Sequence, residues 1–235
     1  MRKITRRQML VGVTAAAIVT IAKAGDPKAA EVSQSLVQKI LPKVSAGVPG
    51  VDREQIAWIV VVAMLRTTAY AEGTWGRGKD AYRTQYSYRV VPESYAYKKH
   101  PYWIDGVIPC SGGLCSAASG TFQFMPDTWN PLRQRHKNRF WFPGDEFSPG
   151  NQDLGAIYLM EDVGLWPLLF KDLAVKDGTP VVSRDSFARA ISKAAPTWAS
   201  FPRYEDDSSG VHGQGAKRVA PMWAFFQKQI KELAG

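Results

Sequence analysis

The sequence predicts an α+β protein that is mainly helical and carries one small antiparallel β lobe. Three observations support this class. Most of the chain divides into segments that begin with a capping residue and end at glycine or proline, as helices do. Residues 82–110 instead alternate tyrosine, valine and serine with charged residues between prolines, which favours short strands. The 235 residues are enough for one domain with a single core.

Residues 1–24 have the pattern of an export signal. Basic residues come first, an apolar core of about 13 residues follows, and an A-x-A cleavage motif ends at Ala24. The paired Arg6 and Arg7 resemble those of a twin-arginine signal. An uncleaved membrane anchor is the alternative, but the apolar core is shorter than the roughly 20 residues that a bilayer span needs. We therefore expect export to the periplasm or the cell exterior, with no stable membrane anchor after cleavage.

Removal of this signal changes the charge of the protein. The signal holds five of the 30 basic residues and no acidic residue, so the mature chain has 25 basic against 21 acidic residues. Its net charge is then +4 instead of +9. No basic cluster remains, which argues against nucleic acid as a partner. A mild positive charge suits an anionic cell-wall polymer, although it is also typical of an ordinary solvated surface.

The mature chain is predicted to begin with a short accessory region. Its helix begins at Asp26, whose neighbour is a proline suited to a first helical turn, and ends before Pro42. Residues 45–50 are rich in glycine, proline and small residues, as linkers are. We therefore assign residues 25–50 to an N-terminal helix with its linker, and residues 51–235 to the main domain.

The second predicted helix is the centre of the main domain. Asp52 caps it, and Gln55 occupies the capping-box position three residues later. The apolar run over residues 56–65 is too continuous for a surface helix, so we expect this helix to be buried. Further helices are predicted over residues 125–136, 148–164, 183–195 and 216–235.

The two cysteines, Cys110 and Cys115, flank a glycine-rich loop. In an oxidising compartment we expect a disulfide between them, which contributes on the order of 2 kcal/mol through loop entropy. A zinc site would need two more ligands, and the three histidines show no metal-type spacing. The sequence thus predicts a disulfide and no metal.

Glu72 lies near the end of the second helix, where the helix dipole opposes its charge. It shares a helix face with Leu65, Thr68 and Ala69, so its carboxyl leaves the helix from an apolar side. Burial and the negative helix end both raise a carboxyl pKa, and an acid that is protonated near neutral pH can donate a proton to a leaving group. A glutamate at a helix end is more often a plain surface residue, so both interpretations stay open.

The aromatic residues are compatible with a sugar substrate, whose cleavage needs such an acid. The chain has eight Trp, nine Tyr and ten Phe. Packing in the core of a small sheet is, however, the commoner use of aromatic rings. Those in the predicted β lobe are Tyr86, Tyr88, Tyr95, Tyr97, Tyr102 and Trp103.

Five sequence blocks carry a more specific signal. They are MLRTTAYAEGT, HPYW, SAASGTFQFMPDTW, DEFSPGNQDLGAIYLM and PTWASFP, the last followed by GQG. In this order they resemble the lambda-endolysin-like lytic transglycosylases, glycoside hydrolase family 104, from about residue 60 to the C-terminus. The resemblance implies a lysozyme-like fold for residues 51–235, a β lobe that flanks an active-site groove, and an enzyme that cleaves peptidoglycan glycan strands without a cofactor.

The resemblance also implies roles for individual residues. Glu72 matches the single catalytic glutamate of the family. Gln152 and Asp153 match a pair that we interpret as structural, because Asp153 lies in the first turn of its helix, where an acid stabilises the helix. The candidate substrate-binding residues are Ser116, Gly120, Phe122, Gln123, Trp198, Ser200 and Gln214.

The chain departs from the family pattern at three places. Lys99 stands where lambda-type proteins have an acidic residue before His-Pro, and Thr121 stands where they have arginine. The segment that contains the two cysteines is a local insertion. These differences bear on the details of substrate binding more than on the reaction.

The number of carboxylates decides between two reactions. An ordinary glycosidase uses two carboxylates, one to donate the proton and the other to activate water or attack the sugar. In T-even phage lysozymes, which share the broad fold, an aspartate and a threonine follow the glutamate at positions that here hold Ala81 and Ser87, and Asp80 is displaced by one residue. A lytic transglycosylase needs Glu72 alone, as acid toward the bond between N-acetylmuramic acid and N-acetylglucosamine and then as base in closing a 1,6-anhydro ring.

The transglycosylase is therefore the predicted function, acting as a monomer on glycan strands. A hydrolytic muramidase that uses Asp80 is the first alternative. A non-catalytic cell-wall glycan-binding protein and a chitin-active enzyme of similar fold are the others.

Overall fold

The structure, a computed structural model, describes residues 53–137, 146–210 and 215–235. The predicted export signal, first helix, linker and Asp52 cap lie outside these residues. Within them the chain forms eight α-helices, two 3-10 helices and two short antiparallel hairpins. None of the helices in this part of the chain is long and apolar enough to cross a bilayer. The predicted fold class, mainly helical α+β, is confirmed.

The elements follow one another in a simple order. The helices are α1 (Arg53–Ala71), α2 (Glu93–Ala96), α3 (Tyr102–Asp105), α4 (Pro126–Arg135), α5 (Pro149–Asp162), α6 (Leu165–Leu169), α7 (Arg184–Ala194) and α8 (Val219–Ala234). The 3-10 helices are Gly78–Arg83 and Tyr86–Tyr88, and the strands are β1 (Cys110–Ser111), β2 (Leu114–Cys115), β3 (Ala174–Lys176) and β4 (Thr179–Val181).

Helix α1 is the centre of the core, as predicted. Nearly every residue from 56 to 65 is buried, and Val60, Ala63 and Met64 are completely so. A helix that is apolar on all sides needs neighbours on all sides. Helices α5 and α8 and strand β4 supply them.

The other four predicted helices are present as α4, α5, α7 and α8. Serine side chains cap two of them: the Ser148 hydroxyl accepts from the amide of Asn151, and the Ser183 hydroxyl accepts from the amide of Ser186. Each bond satisfies a backbone amide that has no partner within its own helix. These starts are visible in the sequence because a cap depends only on residues three positions apart.

The β structure differs from its predicted extent of residues 82–110. Most of that stretch consists of 3-10 turns and the short helices α2 and α3, and its pairing is limited to isolated bridges such as Thr84 to Val90. The β1–β2 hairpin begins at its last residue. Pro92 and Pro101 interrupt the stretch, and a proline cannot donate to a strand ladder.

The β3–β4 hairpin has no counterpart among the predicted elements. Asp177 and Gly178 join its strands, and both have positive φ, 50° and 75°, as a type I′ turn requires. The Asp-Gly pair is a recognised hairpin signal, but each strand has only three residues, too few to show an alternating pattern.

Candidate active site

Helix α1 ends in a glycine turn that fixes the position of Glu72 at the helix end. The amide of Gly73 bonds to the carbonyl of Tyr70, and the amide of Thr74 bonds to the carbonyl of Ala69. Gly73 has φ +73°. These two bonds and the left-handed glycine constitute a Schellman motif, in which Glu72 is the C-cap residue. Glu72 therefore sits at a sharp, well-defined exit from the central buried helix.

A cavity of about 620 Å³ opens beside this helix end. The end of α1 forms one wall, with Glu72 and Thr74. Residues 84–88 and residues 197–200 also line the cavity. The remaining surface comes from the β1–β2 hairpin, the segment that follows it up to Met125, and Gly215. The cavity is thus built from segments that are distant in the sequence.

Glu72 is the acid of this cavity. It is partly buried, and its Oε1 accepts a hydrogen bond from the Ser200 hydroxyl at 2.5 Å. Burial raises the pKa of Glu72 to about 7, and the bond from Ser200 lowers the pKa by a smaller amount. Among the described residues that line the cavity, Glu72 is the only carboxylic acid.

Asp80 does not line the cavity. It belongs to the 3-10 helix Gly78–Arg83, has a partly exposed side chain, and forms an ion pair with Arg83. Ala81 is buried, whereas Ser87 lines the cavity. Of the three positions considered for a second acid, only Ser87 lines the cavity, and its side chain is a hydroxyl instead of a carboxylic acid.

Gln152 supports, from behind the cavity, residues 116–123, which are the groove segment implied by the family resemblance. Its Nε2 donates to the carbonyls of Tyr82 and Phe147 at 2.9 and 2.8 Å, and its Oε1 accepts from the Thr121 amide at 3.0 Å. Gly120 has φ +79°, and a Cβ there would lie 2.1 Å from the Gln152 Oε1. Residue 120 must therefore be glycine for this clamp to close.

Asp153, the neighbour of Gln152, is buried and does not line the cavity. Its carboxylate accepts from the Tyr82 hydroxyl at 3.0 Å. Burial raises the pKa of Asp153 to about 7, and the bond from Tyr82 opposes that shift. Asp153 is the fifth residue of α5, which has no acidic residue in its first turn, so the predicted stabilisation of the helix start by Asp153 is wrong. Both members of the pair instead bond to Tyr82 and so pack α5 against the 3-10 helix Gly78–Arg83.

The predicted site residues fall into three groups. Glu72, Ser116, Gln123, Trp198 and Ser200 all line the cavity. Gly120 and Phe122 lie behind its surface: Gly120 faces Gln152, and Phe122 is 2% exposed and packs in the core. Gln214 lies outside the described residues.

Two of these residues are fixed by unusual local features. Gln123 has φ +49°, and its Nε2 donates to the carbonyls of Gly120 at 2.8 Å and Thr84 at 3.1 Å. The indole of Trp198 donates to the Phe122 carbonyl at 3.3 Å. Phe122 thus holds Trp198 through its carbonyl while its side chain stays in the core, and Gln123 lines the cavity.

The cysteines form the expected disulfide, Cys110 to Cys115. It closes the β1–β2 hairpin, whose residues Ser111 and Cys115 line the cavity. No group of three or more possible metal-binding side chains occurs within the described residues.

Several cavity residues were not among the predicted site residues, chiefly those of the turn over residues 84–88. Ser87 and Tyr88 have φ values of 56° and 62°, a conformation that non-glycine residues rarely adopt. The tyrosines of this turn belong to the aromatic cluster seen in the sequence. That cluster was the available signal, but it could not separate cavity residues from core residues.

Comparison with known proteins agrees with this geometry. The structure of bacteriophage lambda lysozyme complexed with a chitohexasaccharide superposes with a TM-score of 0.54 at 20% identity, covering 73% of this chain and 94% of that one. A second structure, lysozyme from bacteriophage lambda, gives a TM-score of 0.50 at 19% identity, covering 75% and 95%. At these identities the similarity shows the fold, which is that of lambda lysozyme. No curated protein matches the chain.

A family match extends the similarity from fold to sequence. The Endolysin family model matches residues 62–232, which include α1 from its middle, the whole cavity and nearly all of α8. Because this match covers well over half of the chain, the protein belongs to the endolysin family, whose members are lysozyme-like and degrade peptidoglycan.

Proposed function

We propose that this protein is a peptidoglycan lytic transglycosylase with Glu72 as its single catalytic acid and base. The observation that carries the proposal is the composition of the cavity: among its described residues, Glu72 is the only carboxylic acid. Its pKa near 7 allows the same side chain to donate a proton and to accept one at neutral pH.

The first step is protonation of the glycosidic oxygen between N-acetylmuramic acid and N-acetylglucosamine. The protonated Glu72 donates its proton to that oxygen, the bond from the oxygen to C1 of the muramyl sugar breaks, and the N-acetylglucosamine end leaves as an alcohol. The substrate's own acetamido group stabilises the cation at C1. Ser200 keeps the carboxyl of Glu72 in place through its hydrogen bond.

The second step closes the ring. The Glu72 carboxylate takes the proton of the C6 hydroxyl on the muramyl sugar, and O6 bonds to C1 to give the 1,6-anhydro product. Glu72 is protonated again, so the cycle balances and consumes no water. A second carboxylate has no part in this sequence of steps, which fits the absence of Asp80 from the residues that line the cavity.

We further propose that the enzyme works outside the cytoplasm, on the cell wall. The twin-arginine-like signal of residues 1–24 supports export. The Cys110–Cys115 disulfide supports it independently, because disulfides persist in oxidising compartments.

Mass spectrometry of digested peptidoglycan tests the reaction. We expect the purified protein to release muropeptides one water lighter than hydrolytic products, and we expect Glu72→Gln to release none. Glu93→Gln, which changes an exposed glutamate on α2, is the matched control and should retain full activity. Asp80→Asn should do the same.

The other outcomes are equally informative. Full-mass reducing ends would identify a hydrolytic muramidase, and their loss in Asp80→Asn would assign the second acid. Binding to peptidoglycan without any cleavage would indicate a glycan-binding protein. Cleavage of chitin, which lacks the muramyl lactyl group, at a rate equal to that of peptidoglycan would indicate a chitin-active enzyme.

A further inference from the structure

We propose that Tyr88 is a substrate-binding residue whose ring stacks on a sugar of the glycan strand close to the scissile bond. This inference rests on the proposed function, because it takes the glycan to lie in the cavity with Glu72. None of the sequence blocks that carry the family resemblance includes Tyr88.

The position of Tyr88 suits such a contact. The residue lines the cavity and yet is 56% exposed, so much of its side chain faces the solvent-filled space. Its hydroxyl occupies the space beside Gly73, where a Cβ would come within 2.9 Å of it. Since Gly73 directly follows Glu72, the hydroxyl end of the tyrosine lies beside the turn that carries the acid.

Tyr88 is held rigidly although it is exposed. The Arg77 guanidinium stacks over its ring, 4.2 Å from the ring centre. This cation–π contact and the contact at Gly73 restrict the ring before any ligand arrives. A side chain that is already ordered loses little conformational entropy when it binds, so stacking on it gives more net affinity.

The backbone around Tyr88 is strained, and the strain is maintained by its neighbours. Ser87 and Tyr88 are consecutive non-glycine residues with positive φ. The turn is closed by the bond from the Gln85 amide to the Arg89 carbonyl at 2.7 Å, and Arg89 is itself anchored to Asp105 at 2.8 Å.

A second anchor comes from the groove segment and the hairpin. The amide of Tyr86 bonds to the carbonyl of Ala118 at 2.9 Å, and strand β1 packs against the turn. Backbone strain that several contacts maintain in this way occurs chiefly at functional sites, where it orients a side chain. Here it aims an aromatic ring into the cavity that contains Glu72.

The chemistry of the ring selects a sugar over the other parts of peptidoglycan. A pyranose presents a face of C–H groups that packs flat on an aromatic ring, and its hydroxyl groups can bond to polar atoms at the ring edge. Tyr88 supplies both the ring and a hydroxyl. Because its hydroxyl end lies beside Gly73, the sugar on it is one that flanks the bond cleaved by Glu72.

The test measures binding separately from cleavage. In the Glu72→Gln background, the affinity for a hexamer of N-acetylglucosamine is measured by isothermal titration calorimetry. We expect Tyr88→Ala to weaken binding about tenfold, as at an aromatic hot spot. Tyr88→Leu, which keeps the bulk but not the aromatic ring, should weaken it similarly, and Tyr88→Phe should lose much less.

Tyr204 provides the matched control. It is a tyrosine of similar exposure, 61%, that also lies over an arginine, Arg203, but it does not line the cavity. Tyr204→Ala should leave the affinity unchanged. In the protein with an intact Glu72, Tyr88→Ala should raise KM for glycan strands more than it lowers kcat.

The results separate this inference from the proposed function. An unchanged affinity in both Tyr88→Ala and Tyr88→Leu would overturn the role of Tyr88, even if the protein cleaves peptidoglycan as proposed. If Tyr88→Ala loses tenfold in affinity but the protein with intact Glu72 does not cleave peptidoglycan, the result would support Tyr88 as a binding residue and reject the proposed reaction. A loss confined to peptide-bearing strands, with no loss for the hexamer, would assign Tyr88 to the stem peptide and overturn the sugar contact.

Discussion

At the scale of single residues, the raised pKa of Glu72 follows from its place at the end of α1. The Schellman turn at Gly73 ends the helix within one residue, so the side chain enters the cavity instead of solvent. Burial disfavours the carboxylate, and the Ser200 hydroxyl favours it. Because burial has the larger effect, the pKa of Glu72 settles near 7, far above its ordinary value of 4.5.

This balance predicts the pH dependence of cleavage. The acid step needs protonated Glu72, so kcat/KM should fall as the pH rises through about 7. Ser200→Ala removes the bond that favours the carboxylate, so the pKa of Glu72 should rise and the fall should move to higher pH by about half a unit. The pH profiles of the two proteins check this, with Ser94→Ala, a change at an exposed serine, as the control. A profile that moves to lower pH would contradict the assignment.

The same pKa links Glu72 to folding stability. The folded state binds a proton on Glu72 that the unfolded state releases between about pH 4.5 and 7. The free energy of unfolding should therefore decrease as the pH rises through this window. Glu72→Gln should remove this contribution. Asp153, whose pKa is also raised to about 7, acts in the same direction, and His100, whose pKa burial lowers to about 4, acts in the opposite direction over much of the same window.

At the scale of secondary structure elements, α5 acts as a support for the cavity wall. Gln152 in its first turn bonds to three backbone groups in three different segments. These are the groove segment at Thr121, the 3-10 helix at Tyr82 and the approach to α5 at Phe147. The cap at Ser148 fixes the start of the helix and so places Gln152 within reach of them.

Replacing Gln152 should therefore destabilise the protein strongly. Gln152→Leu leaves two carbonyls and one amide without their partner in a buried place, which we expect to cost about 2–4 kcal/mol of unfolding free energy. Gln134→Leu, at an exposed position on α4, should change it by no more than about 0.5 kcal/mol. Urea unfolding followed by circular dichroism measures both. Equal effects of the two substitutions would show that the clamp contributes nothing.

The sequence predicted the main helices correctly, but it did not predict the extent of the β structure or the side-chain directions in the groove segment. Helix caps and helix periodicity involve residues at most four apart, so α1, α4, α5, α7 and α8 could be predicted. The β lobe was placed too early, since alternation in residues 82–110 does not specify which strands pair. In the groove segment the sequence could not tell Phe122 from Gln123. A positive φ at Gln123 turns one of these neighbours to the core and the other to the cavity.

At the scale of the whole molecule, α8 holds α1, the helix that ends at Glu72, in place. It makes the most extensive packing contact with α1 and also touches α7 and β4. Phe226 of α8 is completely buried, and its ring lies 4.9 Å from that of Phe187 on α7. The C-terminal helix thus closes the core around α1, whose far end carries Glu72.

Phe226→Ala should accordingly destabilise the whole domain. A buried Phe→Ala change costs about 3–5 kcal/mol, which is a large share of a typical domain's stability. Hydrogen exchange of the α1 amides should accelerate by the same free energy, because a single core unfolds cooperatively. Lys228→Ala, on the exposed side of the same helix, should have an effect below about 1 kcal/mol. Unchanged protection of α1 in Phe226→Ala would show that the two helices unfold separately.

The sequence by itself determined the order of the main helices, the disulfide and the acid at the end of α1. All three depend on residues that are close together along the chain. Only the tertiary structure decided that Ser200, 128 residues away, bonds to Glu72, that Asp80 lies off the cavity, and that Tyr88 lies on it. These depend on how distant segments pack against one another. That packing is set by the free energy of the whole core, which no local pattern contains.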